Sequence, residues 1–391
     1  MINASGVALD CSEVRLETVA WFVGAAAAVR GSVLSADAGM CCRRHESLLD
    51  CVSHRGRCSR CNASQSQRWC RELNEKTIRT TGTVMKKRLN QMLAGMLFGI
   101  CCCTPLLLQA AEIQHSFFVA GPDFTGIVGE DGKPKWDAGR AGARDGWVLP
   151  NGNVLIAWGD VVREFTPEKK VVFEYKLNPA NKEIGTVQRL ANGNTLITEL
   201  GSKPRLLEVK SNGEFAVEVT LQPETDNGHM QTRMARKLQN GNYLVPHLLA
   251  FKVKEYTPEG KVVSSFPTDM EALGGRGAKN WPFTAIRLEN GNTLVCLTNG
   301  NKVVEMDPKG NVIWKVSNED LPGNPIDDAC GGQRLPNGNT VITAYHAKKG
   351  VKLLEVTPAK QIVWTFEGPY RAHHFQVLTT NGKPLAGVPL R

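Results

Sequence analysis

The stretch LPNGNTVIT at residues 335–343 is nearly repeated 47 positions earlier as LENGNTLVC at 288–296. Further copies of this phrase are LPNGNVLIA at 149–157, LANGNTLIT at 190–198, LQNGNYLVP at 238–246 and a divergent LTTNGKPLA at 378–386. Successive Asn-Gly dipeptides at its centre are 41 to 50 residues apart. A period of this length is typical of a repeat architecture rather than of an ordinary globular domain.

Each copy of the phrase predicts a β-hairpin, because Asn-Gly between two apolar runs adopts the positive φ angles that a two-residue turn needs. A second phrase follows in each period, for example KVVEMDPKGNVIWKV at 302–316 and KLLEVTPAKQIVWTF at 352–366. It also has the pattern of a strand, a turn and a strand. Each period therefore encodes four short strands and no helix, which is the pattern of a propeller blade.

The two ends of the repeat region hold incomplete periods. The sixth period has only its first hairpin, HHFQVLTTNGKPLAG at 373–387, whereas FTGIVGEDGKPKWDA at 124–138 matches a second hairpin alone. Joining these two hairpins completes a blade and removes free sheet edges. The sequence thus predicts an all-β fold over residues 112–391, a six-bladed β-propeller with blade six closed by both chain ends.

The N-terminal part of the chain lacks the repeat. Residues 85–111 begin with a basic stretch, continue with an apolar run at 92–108 and end in small residues, which is the pattern of a secretory signal peptide. The apolar run is shorter than the ~20 residues that cross a bilayer. We therefore expect export to the periplasm, the cell surface or the medium, with no stable membrane span after signal cleavage.

Residues 1–84 are interpreted as a disordered, over-extended gene start, with Met85 as the real first residue. This segment holds seven of the twelve cysteines, but only one C-x-x-C pair, Cys58 and Cys61. A zinc site of the common type needs a second pair at a suitable spacing. No metal site is predicted.

The positive charge of the chain is concentrated in its N-terminal part. The formal net charge is +9, yet residues 1–111 contain 14 Lys and Arg against 8 Asp and Glu, while residues 112–391 contain 33 against 30. The predicted propeller is nearly neutral, so no nucleic-acid partner is expected. We expect a monomer. Cys296 and Cys330 are the cysteines left after export, and they either pair or remain buried thiols.

The second hairpins resemble the tryptophan-docking repeat of PQQ-type quinoprotein propellers, with Trp136, Trp314 and Trp364 at the docking position. The Asn-Gly phrase is also similar to that of bacterial arylsulfotransferases and WD-like secreted propellers. The resemblance covers residues 112–391. It implies a propeller fold and two candidate functions, which are PQQ binding and sulfuryl transfer through a histidine.

Residues that recur in every blade are expected to be structural. One equivalent position holds glutamates and another holds basic residues: Glu164, Glu208, Glu255, Glu305 and Glu355, and Arg189, Lys237, Arg287 and Arg334. A basic ring for an anionic ligand is one interpretation of this pattern. We favour a repeated ion pair that joins inner strands to third strands.

Residues that break the repeat are candidates for a binding site. In a propeller, the loops between blades and those between second and third strands open on one face around the channel mouth, where polar side chains can converge. The candidate ligand-binding residues are Arg144, Asp145, His229, Arg233, His247, Trp281, Asp327, Asp328, His346, His373 and His374.

The sequence contains no hydrolase or nucleotide-binding motif. We therefore favour an exported, non-catalytic propeller that binds a small molecule, a glycan or a protein, and no cofactor is specified. One alternative is an enzyme of the arylsulfotransferase or lyase type with a channel-mouth histidine as nucleophile or base, since imidazole titrates near neutrality. The other is a PQQ-binding-like protein, as the resemblance implies.

Overall fold

A computed structural model describes residues 112–385 of the chain, so the predicted signal peptide at 85–111 and the segment 1–84 lie outside the described residues. The described residues form six antiparallel sheets arranged in a ring, which confirms the predicted six-bladed β-propeller. No helix within residues 112–385 has the length and apolar character needed to cross a membrane.

The strands, in chain order, are β1 (His115–Ala120), β2 (Thr125–Val128), β3 (Pro134–Asp137), β4 (Asp145–Val148), β5 (Val154–Ala157), β6 (Val161–Phe165), β7 (Val171–Lys176), β8 (Asn181–Arg189), β9 (Thr195–Gly201), β10 (Arg205–Val209), β11 (Phe215–Thr220), β12 (Arg236–Lys237), β13 (Tyr243–His247), β14 (Lys252–Tyr256), β15 (Val262–Pro267), β16 (Asn280–Arg287), β17 (Thr293–Asn299), β18 (Lys302–Met306), β19 (Val312–Ser317), β20 (Gly332–Arg334), β21 (Thr340–Thr343), β22 (Leu353–Val356), β23 (Ile362–Phe366), β24 (His374–Thr380) and β25 (Lys383–Pro384). Short 3-10 turns in the described loops are Gly228–Met230, Glu271–Leu273, Arg276–Ala278 and Asn318–Asp320.

Blades one to five each consist of four consecutive strands, β4–β7, β8–β11, β12–β15, β16–β19 and β20–β23. The inner strand of a blade is largely buried, as β8 is, whereas the outer strand is largely exposed, as β7 is. The apolar core lies between adjacent blades. Trp147 and Leu155 of blade one, for example, belong to one buried cluster with Ile184 and Ile197 of blade two.

Blade six is closed by both chain ends, but not by the two hairpins that the repeat predicts. Its sheet has the order β25-β24-β1-β2-β3, so the N-terminal end supplies three strands and the C-terminal end supplies the inner strand β24. β1 pairs with β24, with Phe118 opposite Gln376. β25 is a two-residue strand on the other side of β24.

The apolar content of β1 explains this correction. Phe117 and Phe118 of β1 are almost completely buried, and the Phe117 ring lies 5.0 Å from that of Phe366 in blade five. β25 consists of exposed Lys383 and Pro384. Burying two aromatic side chains stabilises the blade far more than pairing Lys and Pro, so β1 occupies the second position of the blade.

The repeated Asn-Gly-Asn phrase has a structural function beyond the turn. Its last Asn donates to the repeated glutamate on the third strand of the same blade, as in Asn153–Glu164 at 2.6 Å, and the same contact joins Asn194–Glu208, Asn242–Glu255, Asn292–Glu305 and Asn339–Glu355. The glutamate also binds the basic residue on the inner strand of the next blade: Arg189–Glu164, Lys237–Glu208, Arg287–Glu255 and Arg334–Glu305. The predicted structural ion pair is therefore confirmed, and it joins neighbouring blades.

The predicted docking tryptophans also connect blades. Trp136 Nε1 donates to the Pro167 carbonyl at 2.9 Å, and Trp314 Nε1 donates to the Pro358 carbonyl at the same distance. Trp364 instead packs edge-on against His115, with ring centroids 4.6 Å apart. Two of the three indoles therefore bind the outer turn of the following blade.

Candidate functional site

Seven side chains from all six blades form one contiguous group at the channel mouth, which we call the mouth cluster. It consists of Arg144, Glu183, His229, Arg233, Phe283, Tyr345 and His373. Arg144 and His373 end the loops before β4 and β24, and Tyr345 follows β21. No residue of the mouth cluster is present at the equivalent position of every blade. Arg144 and Arg233 are equivalent residues of blades one and three, and the other blades have Gly185, Phe283, Cys330 and His373 at that position. Four of the candidate ligand-binding residues, Arg144, His229, Arg233 and His373, thus lie in one group.

Glu183 is the electrostatic centre of the mouth cluster. Its carboxylate accepts hydrogen bonds from Arg144 Nη2 at 2.6 Å and Arg233 Nη2 at 3.0 Å, and His229 Nδ1 lies 3.1 Å away. Burial favours the neutral acid, but the hydrogen bond with His229 and the charges of Arg233 and Arg144 outweigh it and lower the pKa of Glu183 to about 2. Glu183 is therefore ionised at neutral pH.

Arg233 lies below the surface of the mouth, with a side chain that is only 1% exposed. Its guanidinium stacks over the Phe283 ring, 5.9 Å from the ring centroid. Burial lowers the pKa of Arg233 to about 10, although Glu183 acts in the opposite direction. The side chain stays charged at neutral pH, and its Nε has no hydrogen-bond partner in the described part of the chain.

Phe283, His373 and Tyr345 form an aromatic wall beside these charges. The rings of Phe283 and His373 are parallel within 3° at a centroid distance of 6.0 Å, and His373 stacks on Tyr345 at 4.0 Å. Burial and the nearby Arg144 and Arg233 lower the pKa of His373 to about 3. His373 therefore contributes a neutral aromatic surface rather than a charge.

A β-bulge places Phe283 at the mouth. The register between β16 and β17 shifts between Pro282 and Thr284, so Phe283 is the unpaired residue of the bulge. Half-buried Trp281 belongs to the same apolar group, together with Met230. The Trp281 Nε1 atom is buried and has no hydrogen-bond partner within residues 112–385.

A second imidazole–carboxylate pair lies beside Tyr345. His346 Nε2 is 3.3 Å from the Asp328 carboxylate, and the His346 side chain is 56% exposed. Asp328 is buried and has a positive φ of 67°, and its carboxylate accepts from the Asn299 backbone amide at 2.7 Å and from the Thr298 hydroxyl. Burial raises the pKa of Asp328. Strained backbone at a charged site is a frequent feature of functional loops.

Other predicted site residues lie in closed, buried positions. Asp145 is fully buried and forms an ion pair with Arg236, with oxygen–nitrogen distances of 2.8 and 3.1 Å, and accepts from the Val187 amide. His374 lies 3.7 Å from Asp145 and packs against Trp147. These residues form a polar layer below the mouth cluster.

His247 and Asp327 lie outside the mouth cluster for different reasons. His247 is buried in β13, 3.1 Å from the Tyr256 hydroxyl, and burial holds its pKa well below the usual value. Asp327 is exposed, and its backbone carbonyl accepts from the His346 amide. The structure thus assembles Arg144, His229, Arg233 and His373 directly, with Trp281, Asp328 and His346 adjacent.

Four residues of this region, Glu183, Phe283, Tyr345 and Arg236, were not among the candidate ligand-binding residues. Glu183 and Phe283 lie within inner strands, β8 and β16, so a position in a loop does not identify them. Arg236 had a usable signal, because the equivalent positions hold the uncharged residues Trp147, Gln188, Ile286, Gln333 and Gln376. No three His, Cys, Asp or Glu side chains in the described part of the chain are grouped as a metal site would require. Cys296 and Cys330 are buried free thiols.

A sequence model of the Mal s 1 allergenic protein-like family matches residues 123–337, more than half of the chain. The chain belongs to this family. The mouth cluster of this Mal s 1-like protein includes residues on both sides of the matched region's C-terminal boundary, since Tyr345 and His373 follow it. No curated protein matches the chain at a significant level.

Solved structures with a similar fold include a protein of unknown function from Bacteroides caccae, with 20% identity over 70% of this chain and 100% of that chain and a TM-score of 0.57. An inactive virginiamycin B lyase from Staphylococcus aureus with quinupristin has 15% identity, coverages of 60% and 73%, and a TM-score of 0.45. A streptogramin B lyase has 13% identity, coverages of 66% and 84%, and a TM-score of 0.47. The similarity to the Bacteroides protein shows the propeller fold and no function.

Proposed function

We propose that this Mal s 1-like propeller binds a small molecule at the mouth cluster. The observation that carries the proposal is that seven side chains, none of which is present in every blade, are contributed by all six blades and meet at one end of the channel. Residues needed only for blade packing recur from blade to blade, as the glutamates of the interblade ion pairs do. A charged and aromatic group that interrupts this repetition is typical of a binding site.

The composition of the mouth cluster suits a small ligand. Polar groups lie on one side, at Arg144 and His229, and an aromatic wall lies on the other, at Tyr345 and His373. Small-molecule sites usually combine a few polar groups, which fix the orientation of the ligand, with an apolar surface that supplies contact area. A glycan or protein partner would place only its tip here.

The proposal can be tested by screening a library of small fragments with ligand-observed NMR. We expect fragments that bind the intact chain to lose binding in Tyr345→Ala, because that substitution removes the accessible part of the aromatic wall. Tyr370→Ala is the matched control, since Tyr370 packs on Phe124 outside the cluster. Fragments that bind equally well to both variants would place the ligand elsewhere and overturn the proposal.

A second candidate function is acid–base catalysis at the same mouth. The observation that favours it is the presence of two partly exposed histidines, each oriented by a buried carboxylate: His229 by Glu183 and His346 by Asp328. A carboxylate fixes the orientation of an imidazole that transfers protons. Loss of turnover in His229→Gln and His346→Gln, with ligand binding retained, would support this function over binding alone.

Export is also part of the proposal. It is supported by the signal-like pattern at residues 85–111, and it predicts a mature form that begins near residue 112. Mass spectrometry of the protein recovered from the periplasm of a bacterial host would test it. PQQ binding stays a prediction of the quinoprotein resemblance.

A further inference from the structure

The charges of the mouth cluster do not balance. Arg144 and Arg233 each form an ion pair with Glu183 and with no other carboxylate of the described residues. One carboxylate against two guanidiniums leaves at least one positive charge. A positive charge held among largely buried side chains attracts anions, and guanidinium groups bind oxyanions through charge-assisted hydrogen bonds.

Two buried donors of this region also lack acceptors. They are Arg233 Nε and Trp281 Nε1, and neither has a partner in the described part of the chain. Both flank Phe283, because the Arg233 guanidinium stacks over its ring and Trp281 belongs to the same apolar group. Buried donors in native proteins are nearly always satisfied, and two unsatisfied donors that both neighbour Phe283 favour an acceptor from outside the chain.

The surface next to these donors is aromatic. Phe283, His373 and Tyr345 form a continuous stack, and Met230 and Trp281 extend it. His373 is neutral near pH 7, so the stack carries no charge that would repel an apolar ring. An aromatic ring of a ligand gains contact area there and can adopt offset or edge-to-face packing.

We propose that the ligand is a small carboxylate with an aromatic body, an arylalkyl carboxylic acid, whose carboxylate meets Arg144 and the two unsatisfied donors while its ring lies on the aromatic stack. The inference rests on the proposed binding at the mouth cluster and adds the chemical class of the ligand.

The test uses three probes with the full chain in isothermal titration calorimetry. These are 3-phenylpropionate, its neutral isostere 3-phenylpropionamide, and propionate, which has the charge without the ring. We expect 3-phenylpropionate to bind, and each of the other two to bind at least about tenfold more weakly, a difference of roughly 1.4 kcal/mol in binding free energy. Failure of 3-phenylpropionate to bind would overturn the inference.

Variants assign the binding to the proposed contacts. Arg144→Gln removes one cation and should weaken 3-phenylpropionate at least about tenfold, whereas Arg140→Gln should have no effect, because Arg140 lies in the same loop but pairs with exposed Asp160. Trp281→Phe keeps the ring contact and removes the donor, so affinity should fall severalfold with the melting temperature retained. If Arg144→Gln does not fold, Trp281→Phe still tests whether the proposed contacts bind 3-phenylpropionate.

The outcomes separate this inference from the proposed function. If the amide binds as tightly as the acid and both lose binding in Tyr345→Ala, the mouth is a binding site but the charge assignment is wrong. If neither probe binds while other fragments bind in a Tyr345-dependent way, the proposed function holds and the ligand class is wrong. If none of the substitutions of Arg144, Trp281 and Tyr345 changes the affinity for 3-phenylpropionate, both the proposed function and the ligand class are wrong.

Discussion

His115 Nε2 lies 2.7 Å from the Glu355 carboxylate, across the boundary between blades five and six, and both side chains are 1% exposed. At the other blade boundaries with a repeated glutamate, an Arg or Lys of the inner strand forms this contact. β24 has Val377 at that position, so a histidine from the N-terminal strand makes the contact instead. Closure of the ring therefore reproduces the interblade contact to the repeated glutamate with residues 240 positions apart.

We expect His115→Phe to lower the melting temperature by several degrees. The substitution leaves buried Glu355 with only asparagine partners, and such losses cost about 1–3 kcal/mol. Burial favours the neutral acid, but the hydrogen bond with His115 outweighs it and lowers the pKa of Glu355. Thermal unfolding at pH 7 checks the prediction, with the His115→Phe/Glu355→Gln double variant as control. The double variant should recover part of the loss in melting temperature. If its melting temperature is as low as that of His115→Phe or lower, the unpaired Glu355 carboxylate is not the cause of the loss.

The pH dependence of this stabilisation follows from the same lowered pKa. The contribution of Glu355 is complete above the unfolded-state pKa of about 4.3 and is lost as pH falls through the lower folded-state value. The difference in unfolding free energy between wild type and the Glu355→Gln variant should therefore shrink below about pH 4.

Glu183→Gln should destabilise the chain more than any single substitution of an exposed ion pair. It leaves two guanidiniums at the mouth, one of them fully buried, without a counter-charge, and breaking a buried pair in this way typically costs about 3–5 kcal/mol. Chemical denaturation at pH 7 measures the loss. Asp160→Asn is the matched control, because the Arg140–Asp160 pair is solvent-exposed and should contribute less than about 1 kcal/mol.

The pKa of about 2 fixes the sign of the pH effect at Glu183. Because the folded-state pKa lies below the unfolded value, the stabilisation is complete above about pH 4.3 and falls as the pH approaches 2. The difference between wild type and Glu183→Gln should thus be constant from pH 8 to 5 and decrease below that range. A difference that grows on acidification would show that the carboxylate is not the ionised partner of Arg144 and Arg233.

The repeat predicts local structure well because its signals are local. Asn-Gly turns, alternating apolar residues and the docking indoles lie within one or two adjacent blades, so their partners can be inferred from spacing. The pairing of β1 with β24 cannot be inferred in this way, since it depends on aromatic burial against a strand about 260 residues away. The bulge at Phe283 and the position of Glu183 inside an inner strand likewise depend on packing in the ring.

Asp145 illustrates why candidate site residues need the structure. The sequence places it in a loop with Arg144, which predicts a ligand contact, whereas the structure pairs it with Arg236 below the mouth. Burial favours the neutral acid, but the charges of Arg236 and His374 outweigh it and lower the pKa of Asp145. The carboxylate therefore stays ionised.

We expect Asp145→Asn to lower stability by several kcal/mol, as expected for a broken buried pair, while fragments that bind at Tyr345 still bind the folded fraction. Combined denaturation and ligand-observed NMR check both parts. Replacing both partners, as Asp145→Leu/Arg236→Met, should recover stability, since an apolar pair of similar volume leaves no buried charge. Loss of fragment binding without loss of stability would restore Asp145 as a ligand contact.

The closure of blade six can be tested with two truncations at the N-terminal end of the chain and one truncation at the C-terminal end. A chain that begins at residue 112 should melt like the full chain, because it retains every strand of the propeller. A chain that begins at residue 121 should fail to fold, because it loses β1 with buried Phe117 and Phe118 and exposes the edges of β24 and β2. Removal of residues 376–391, which deletes most of β24, should be equally damaging, since losing an inner strand can exceed the ~5–15 kcal/mol that stabilises a domain.

Circular dichroism melting of the three truncated chains gives the comparison. Cooperative melting of the chain that begins at residue 121, near the temperature of the one that begins at 112, would show that β25 can take the place of β1 and would restore closure by two hairpins. A large loss on removal of residues 1–111 alone would show that this segment contributes to the fold. Only the pairing of β1 with β24 predicts that a chain beginning at residue 112 folds and that a chain beginning nine residues later does not.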